Sequence, residues 1–230
     1  GLALGALRTW KNVDGKPLGL SADGAVLGLD GEDWLGEWER ASREAELEIT
    51  VRIAGHRILE KGAEFDMHAS VRAGGAVAWE SVNTFYSRGR FGAPAVDTVP
   101  EAPKVSLPET ASWRMPAGGG WHYGGLSGDY NPLHLWSGYA RKHGFAQAFF
   151  HPQRVLGQCL ARLPARGWPL PLQLDAWLKG PVFYGAPVTM RSAAAGGEAV
   201  FALHVDEDER PAIVGRLRKL EPGSRLTQQI

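Results

Sequence analysis

The run Leu126-Ser127-Gly128-Asp129-Tyr130-Asn131-Pro132-Leu133-His134 decides how the chain is read, because it joins a loop to a helix start and places titratable groups on both sides of the junction. Asn131 is a strong N-cap, and Pro132 suits the first helical position, where its missing N–H costs nothing. Leu133, Trp136 and Ala140 follow at i, i+3 and i+7, and Gly144 supplies a stop. The spacing predicts one helix of about three turns starting at Asn131. Asp129 precedes it in a loop freed by Gly128, and His134 stands near N3. The helix turns the carboxylate and the imidazole towards one point, where they can hold one water between them. Its positive end disfavours imidazolium, which leaves His134 a neutral base near pH 7.

Downstream, an apolar stripe of Val155, Leu156, Cys159, Leu160 and Leu163, bounded by Pro152 and Pro164, predicts a second helix over 152–163, about 18 Å long. Four strand-like runs follow at 172–178, 188–193, 199–205 and 212–217, separated by Gly180-Pro181, Gly196-Gly197 and the charged hairpin tip 206–209. Helices followed by an antiparallel meander give an α+β layer in which the sheet wraps a helix. Upstream, Leu47, Ile49, Val51 and Ile53 alternate with Glu48, Thr50 and Arg52, as a half-buried strand does. Two more alternating runs, around Phe65–Val71 and Val77–Tyr86, complete a three-stranded antiparallel meander, with Ala73-Gly74-Gly75-Ala76 as a turn. Residues 32–45, carrying Trp34, Leu35 and Trp38, read as a short helix. The proline-dense stretch 92–110 reads as an extended connection, so the domain boundary is expected near Pro100, dividing 1–100 from 101–230.

Composition narrows the function. The 230 residues are 44% apolar and 22% charged, ordinary for a globular chain, so disorder, collagen and coiled coil are poor starting points. Basic and acidic residues balance at 25 each, which argues against nucleic acid or an anionic membrane as the main partner. One cysteine, Cys159, permits no internal disulfide, and no run is long enough to span a membrane. No signal segment opens the chain, and a reducing, cytoplasmic setting is expected. Thirty glycines and nine tryptophans suggest tight turns around an aromatic-lined interior that binds a small molecule.

With Tyr123 ahead of that run, Ala140 beyond it, and Gly144-Phe145 and His151 further on, the sequence resembles the MaoC-like hydratases, a hotdog-fold family that includes the (R)-specific enoyl-CoA hydratases. The resemblance covers about 110 residues of the second half. It implies a double hotdog whose first repeat is divergent or incomplete, since 1–100 holds no Asp-x-Asn-Pro-x-His run. It also implies a hydro-lyase acting on an enoyl or 3-hydroxyacyl thioester of CoA or a carrier protein, with no metal or organic cofactor and a homodimer or intrachain pseudo-dimer. Asp129 and His134 become the acid/base pair, and Asn131, Ser127, Gly128, His151 and Gln153 line the substrate.

One position departs from the family. Where the family has a glycine after the second His, whose N–H receives the thioester oxygen, this chain has Pro152, which has no N–H. Gln153 N–H or a side chain then replaces the donor, or the carbonyl binds elsewhere, or the chain binds thioesters without turnover. Thioester hydrolysis is a third reading.

Simpler readings stand beside these. The motif alone is compatible with a capped loop. His151 is equally a structural residue or a pocket hydrogen-bonder. His122, His134, His143 and His151 lack the helical pairing of a zinc site. Cys159 is a buried small hydrophobe, and Trp113, Trp121, Trp136 and Tyr139 either line an acyl pocket or, for most of them, fill the core. Gly118 to Gly120 is a flexible turn, and Arg216, Arg218 and Lys219 lie on a solvated edge strand or meet a CoA phosphate.

Overall fold

The computed structural model describes residues 2–7, 47–73, 75–95, 102–104, 106–165, 168 and 171–221. The helix expected over 32–45 and the boundary expected near Pro100 lie outside them.

Two antiparallel sheets organise the chain. The first has the order β1-β4-β3-β2, built from β1 (Leu2–Leu7), β2 (Leu47–Leu59), β3 (Gly62–Ala73) and β4 (Ala76–Arg88). The meander β2–β3–β4 is the one the alternation predicts. Its pairing runs from Leu47↔Ala73 to Leu59↔Gly62, with a bulge between Ile53 and Gly55. β1 was not expected, because 1–43 shows little periodicity. One face of this sheet is fastened by polar groups: Arg57 donates to both carboxylate oxygens of Asp66 at 2.7 Å and to Glu64 at 2.9 Å, and Thr84 Oγ donates to Asp66.

The second sheet has the order β5-β7-β8-β9-β6, from β5 (Glu109–Arg114), β6 (Leu172–Leu178), β7 (Pro187–Ala195), β8 (Glu198–Val205) and β9 (Ile213–Lys219). The four expected runs are all strands, but only β7–β8–β9 form a meander. β6 crosses to pair with β9, and an unanticipated strand, β5, takes the edge beside β7. β5 begins inside the stretch read as a bare connection. It escaped notice because Glu109-Thr-Ala-Ser-Trp-Arg114 carries one large apolar side chain.

Between these strands lie α1 (Gly120–Ser127), α2 (Pro132–Leu135), α3 (Ser137–Lys142) and α4 (Pro152–Leu160). α4 is the helix the second sheet wraps. Its Val155, Leu156 and Cys159 are buried with Leu163, as the apolar stripe predicts, against Val188, Met190, Phe201, Leu203 and Ile213. These alternate along β7–β9, so one face of every strand points at the helix. Each such side chain, fully buried, stabilises by roughly 1.5–3 kcal/mol. Gly215 stands opposite Phe201 in the ladder, and the Phe201 ring occupies the space where a Cβ on Gly215 would project.

The outer face corrects one expectation. β9 lies between β8 and β6, and is no edge strand. Its Arg216 and Arg218 both reach the buried Asp175 carboxylate on β6, at 3.0 Å each. The pair is thus committed to a structural ion cluster. The 206–209 tip is, as expected, an exposed hairpin turn.

Candidate active site

The junction between α1 and α2 is built by short-range hydrogen bonds. Gly128 closes α1 in the left-handed region, φ +74°, with its N–H donating to Gly124 O. Ser127 Oγ donates to Tyr123 O at 2.7 Å and accepts from Asp129 N–H at 3.2 Å. Asp129 Oδ1 accepts from Asn131 N–H at 3.0 Å, and Asn131 Oδ1 caps α2 by accepting from Leu133 N–H at 3.1 Å. Asn131 and Pro132 therefore do what the sequence assigns them. Ser127, Gly128 and Asn131 shape the loop, and Asp129 is left with one carboxylate oxygen, Oδ2, turned towards the histidines.

The helix that follows differs from expectation. It breaks at Trp136 (φ −138°, ψ 112°) into α2 and α3, because the Tyr184 hydroxyl donates to His134 O at 2.8 Å and takes the carbonyl that a continuing helix would use. Trp136 is thrown outward. Trp136 and Trp121 are exposed rather than core-filling, as are Leu126 and Tyr130, and the Trp121 and Tyr130 rings lie 6.3 Å apart. Trp113 is half-buried, donating to Gln158 Oε1 at 3.2 Å, and Tyr139 stacks on His143 at 4.2 Å. Gly120 opens α1, where only a flexible turn was expected.

Asp129, His134 and His151 converge: one coordinating atom from each lies within 4.8 Å of the others. Both imidazoles are buried and packed against each other, centroids 4.1 Å apart with the planes tilted by 36°, while the Asp129 carboxylate is 44% exposed. Carbonyls only accept, so they fix the tautomers. His134 Nδ1 donates to Phe149 O at 3.0 Å, leaving Nε2 as a lone-pair base. His151 Nε2 donates to Asp129 O at 3.0 Å, 4.0 Å from Asp129 Oδ2, and its buried Nδ1 has no hydrogen-bond partner among the described residues. His151 thus holds the backbone of Asp129 in place, and Tyr123 packs on its other side at 4.7 Å.

Burial lowers the pKa of His134, and the neighbouring His151 lowers it further; burial lowers that of His151 as well. Both rings are neutral at pH 7. The expectation for His134 holds, but burial is the main cause: α2 has four residues, too few for a strong dipole. Burial followed by the Asp129 charge raises the pKa of Tyr123. A cation here would have Asp129 Oδ2 and His134 Nε2 as ready donors, whereas His151 Nε2 would first have to give up Asp129 O, so the set is incomplete for a tight site. His122 and His143 are exposed and stand apart from this cluster.

At the start of α4, Arg154 and Val155 N–H both turn back to His151 O, at 3.0 and 3.3 Å. Pro152 has no N–H, so the first outward backbone donor of this helix is Gln153, whose side chain is exposed. Sequence reasoning missed Arg154. It is buried beside the site, its Nη1 donating to Gly119 O at 2.9 Å and its guanidinium 6.0 Å from the Tyr123 ring centre. Nothing in the apolar stripe marks an arginine there as buried.

HtdX from Mycobacterium tuberculosis matches 94% of this chain and 76% of its own, with a TM-score of 0.68 and 20% identity. A MaoC-like dehydratase from Phytophthora capsici matches 95% of this chain and 69% of its own, at 0.64 and 16%. The peroxisomal multifunctional enzyme type 2 from Drosophila melanogaster matches 95% of this chain and 37% of its own, at 0.64 and 18%. This is the MaoC-like hotdog fold. With 94–95% of this chain covered, these matches take in residues of both sheets. No family model matches the sequence, and no curated protein sequence matches it. Among the described residues, no helix is long and apolar enough to cross a membrane.

Proposed function

We propose that this chain is an acyl-thioester hydratase/dehydratase, with Asp129 and His134 as the acid/base pair. The observation that carries the reading is the convergence of the exposed Asp129 carboxylate on a neutral His134 whose Nε2 lone pair is fixed by the Nδ1–H···O bond to Phe149. In the hydration direction, a water accepted by Asp129 gives one proton to His134 Nε2 as its oxygen bonds to Cβ. The Cα–Cβ π electrons move towards the thioester oxygen, and His134 returns the proton to Cα. Water is added across the double bond, and both side chains end as they began; dehydration is the reverse.

Negative charge develops on the thioester oxygen. Gln153 N–H, the first outward donor of α4, takes the role that Pro152 vacates. One such donor is worth about 2.7–4 kcal/mol of transition-state stabilisation. The exposed apolar side chains of Trp121, Leu126, Tyr130 and Trp136 suit the acyl chain, carried by CoA or a carrier protein. Residues 101–230 carry the motif, and 1–100 form the divergent companion repeat.

The test follows the enoyl chromophore with short and medium enoyl-CoAs. Asp129→Asn and His134→Ala should each lower kcat/KM by about 10²–10⁴-fold. Equal rates for wild type and both variants would refute the assignment. Pro152 favours one other reading, a thioester-binding subunit without turnover; calorimetric binding of acyl-CoA with no chromophore loss identifies it. Thiol release without hydration identifies a thioesterase.

A further inference from the structure

The alternation that turns Val188, Met190, Phe201, Leu203 and Ile213 towards α4 turns the residues between them outward, onto the opposite face of the second sheet. There Arg191, Ala202, Val214 and Trp177 stand side by side in one cross-strand row over β7, β8, β9 and β6. Two small side chains thus lie between two large ones, and at the usual strand spacing the two walls rise about 14 Å apart. Ala202 and Val214 are buried although they face away from the core. The trough belongs to a cleft of about 880 Å³, within the range of small-molecule sites, which Lys104, Leu107, Lys179, His204 and Glu209 also line.

Charge selects the occupant. Arg191, Lys179 and Lys104 are cations, and Glu209 is the one carboxylate in the lining, so the cleft carries an excess of two positive charges. Among the described residues no acidic side chain pairs with Arg191 or Lys179, and Glu109, beside Arg191 in the ladder, accepts from Ser112. His204 donates its Nδ1–H to Asp208 O at 3.0 Å, which leaves Nε2 to accept from a ligand. We propose that this cleft binds an aromatic phosphomonoester, with its flat ring against the Trp177 indole and its phosphate on the Arg191 fork. Stacking on an aromatic side chain and paired N–H donors to phosphate oxygens are the contacts such a ligand uses. A phosphomonoester carries about −1.5 to −2 at pH 7, which matches the excess. A fatty-acid carboxylate, which the apolar floor would also suit, carries only one charge. The cleft shares no residue with the Asp129, His134 and His151 cluster and opens on the face of the sheet away from α4, so it is a second site, independent of the reaction proposed for the first.

Isothermal titration calorimetry on the full chain at low salt tests this with adenosine 5′-monophosphate and riboflavin 5′-phosphate, each beside its phosphate-free parent. At least one of the two phosphates should bind with a dissociation constant below about 1 mM, and its parent about tenfold more weakly or worse. Arg191 is exposed, so Arg191→Gln should spare the fold while weakening the phosphate about tenfold or more. Trp177→Leu should weaken it about fivefold or more, and Trp177→Phe, which keeps a ring, should retain most of the affinity, separating stacking from misfolding. His134→Ala should leave binding unchanged. Failure of both phosphates to bind at millimolar concentration overturns the proposal, as does a parent that binds as tightly as its phosphate. Affinity indifferent to Arg191→Gln or to Trp177→Leu overturns it too. Binding lost with His134→Ala would do the same, by assigning the ligand to the other site.

Discussion

The two buried imidazoles make the stability of this protein a function of pH in a predictable direction. His134 and His151 are both buried with centroids 4.1 Å apart, and both have folded-state pKa values below the ordinary 6.5. The unfolded chain therefore binds protons below pH 6.5 that the folded chain refuses. The stabilisation is complete above pH 6.5 and is lost as pH falls towards the lower folded values. Each imidazole removes at most about 1.4 kcal/mol per pH unit, and the pair about 2.7. His151→Gln isolates one of them, because its amide can still donate to Asp129 O. Urea denaturation of wild type and variant from pH 5.5 to 7.5 yields a difference curve in which the other groups largely cancel. It should be flat above 6.5 and slope by up to about 1.4 kcal/mol per unit below, the wild type losing more. A difference that stays flat to 5.5, or a wild type that gains stability on acidification, would refute the reasoning.

Gly215→Ala should destabilise by about 1–3 kcal/mol in denaturant titration, because its Cβ runs into the fully buried Phe201 ring; Phe201→Leu in the same chain should recover part of that. Gly128→Ala meets no neighbour but must hold φ +74°, which costs about 1 kcal/mol and loosens the Asp129 loop, seen as lower kcat/KM. Cys159, whose thiol burial pushes up to about 12, should resist thiol reagents until the chain unfolds, with the rate then following denaturant.

What the sequence determined by itself was local or periodic. Asn131 and Pro132 start a helix by bonds that span two residues, and alternation along β2–β4 and β6–β9 marks strands whatever they pack on. The pairing of Asp129 with His134 was legible for the same reason: five positions across one capped turn leave little freedom. Tertiary structure decided the rest. Tyr184, 50 residues on, splits the expected helix by taking His134 O, and His151 reaches Asp129 O across 22 residues. The crossing of β6 to β9 turns an apparent solvent-facing basic strand into an internal ion cluster on Asp175. Alternation says that Ile49, Val51 and Ile53 share a face, but not whether anything covers it, because burial belongs to whatever lies opposite and not to the strand.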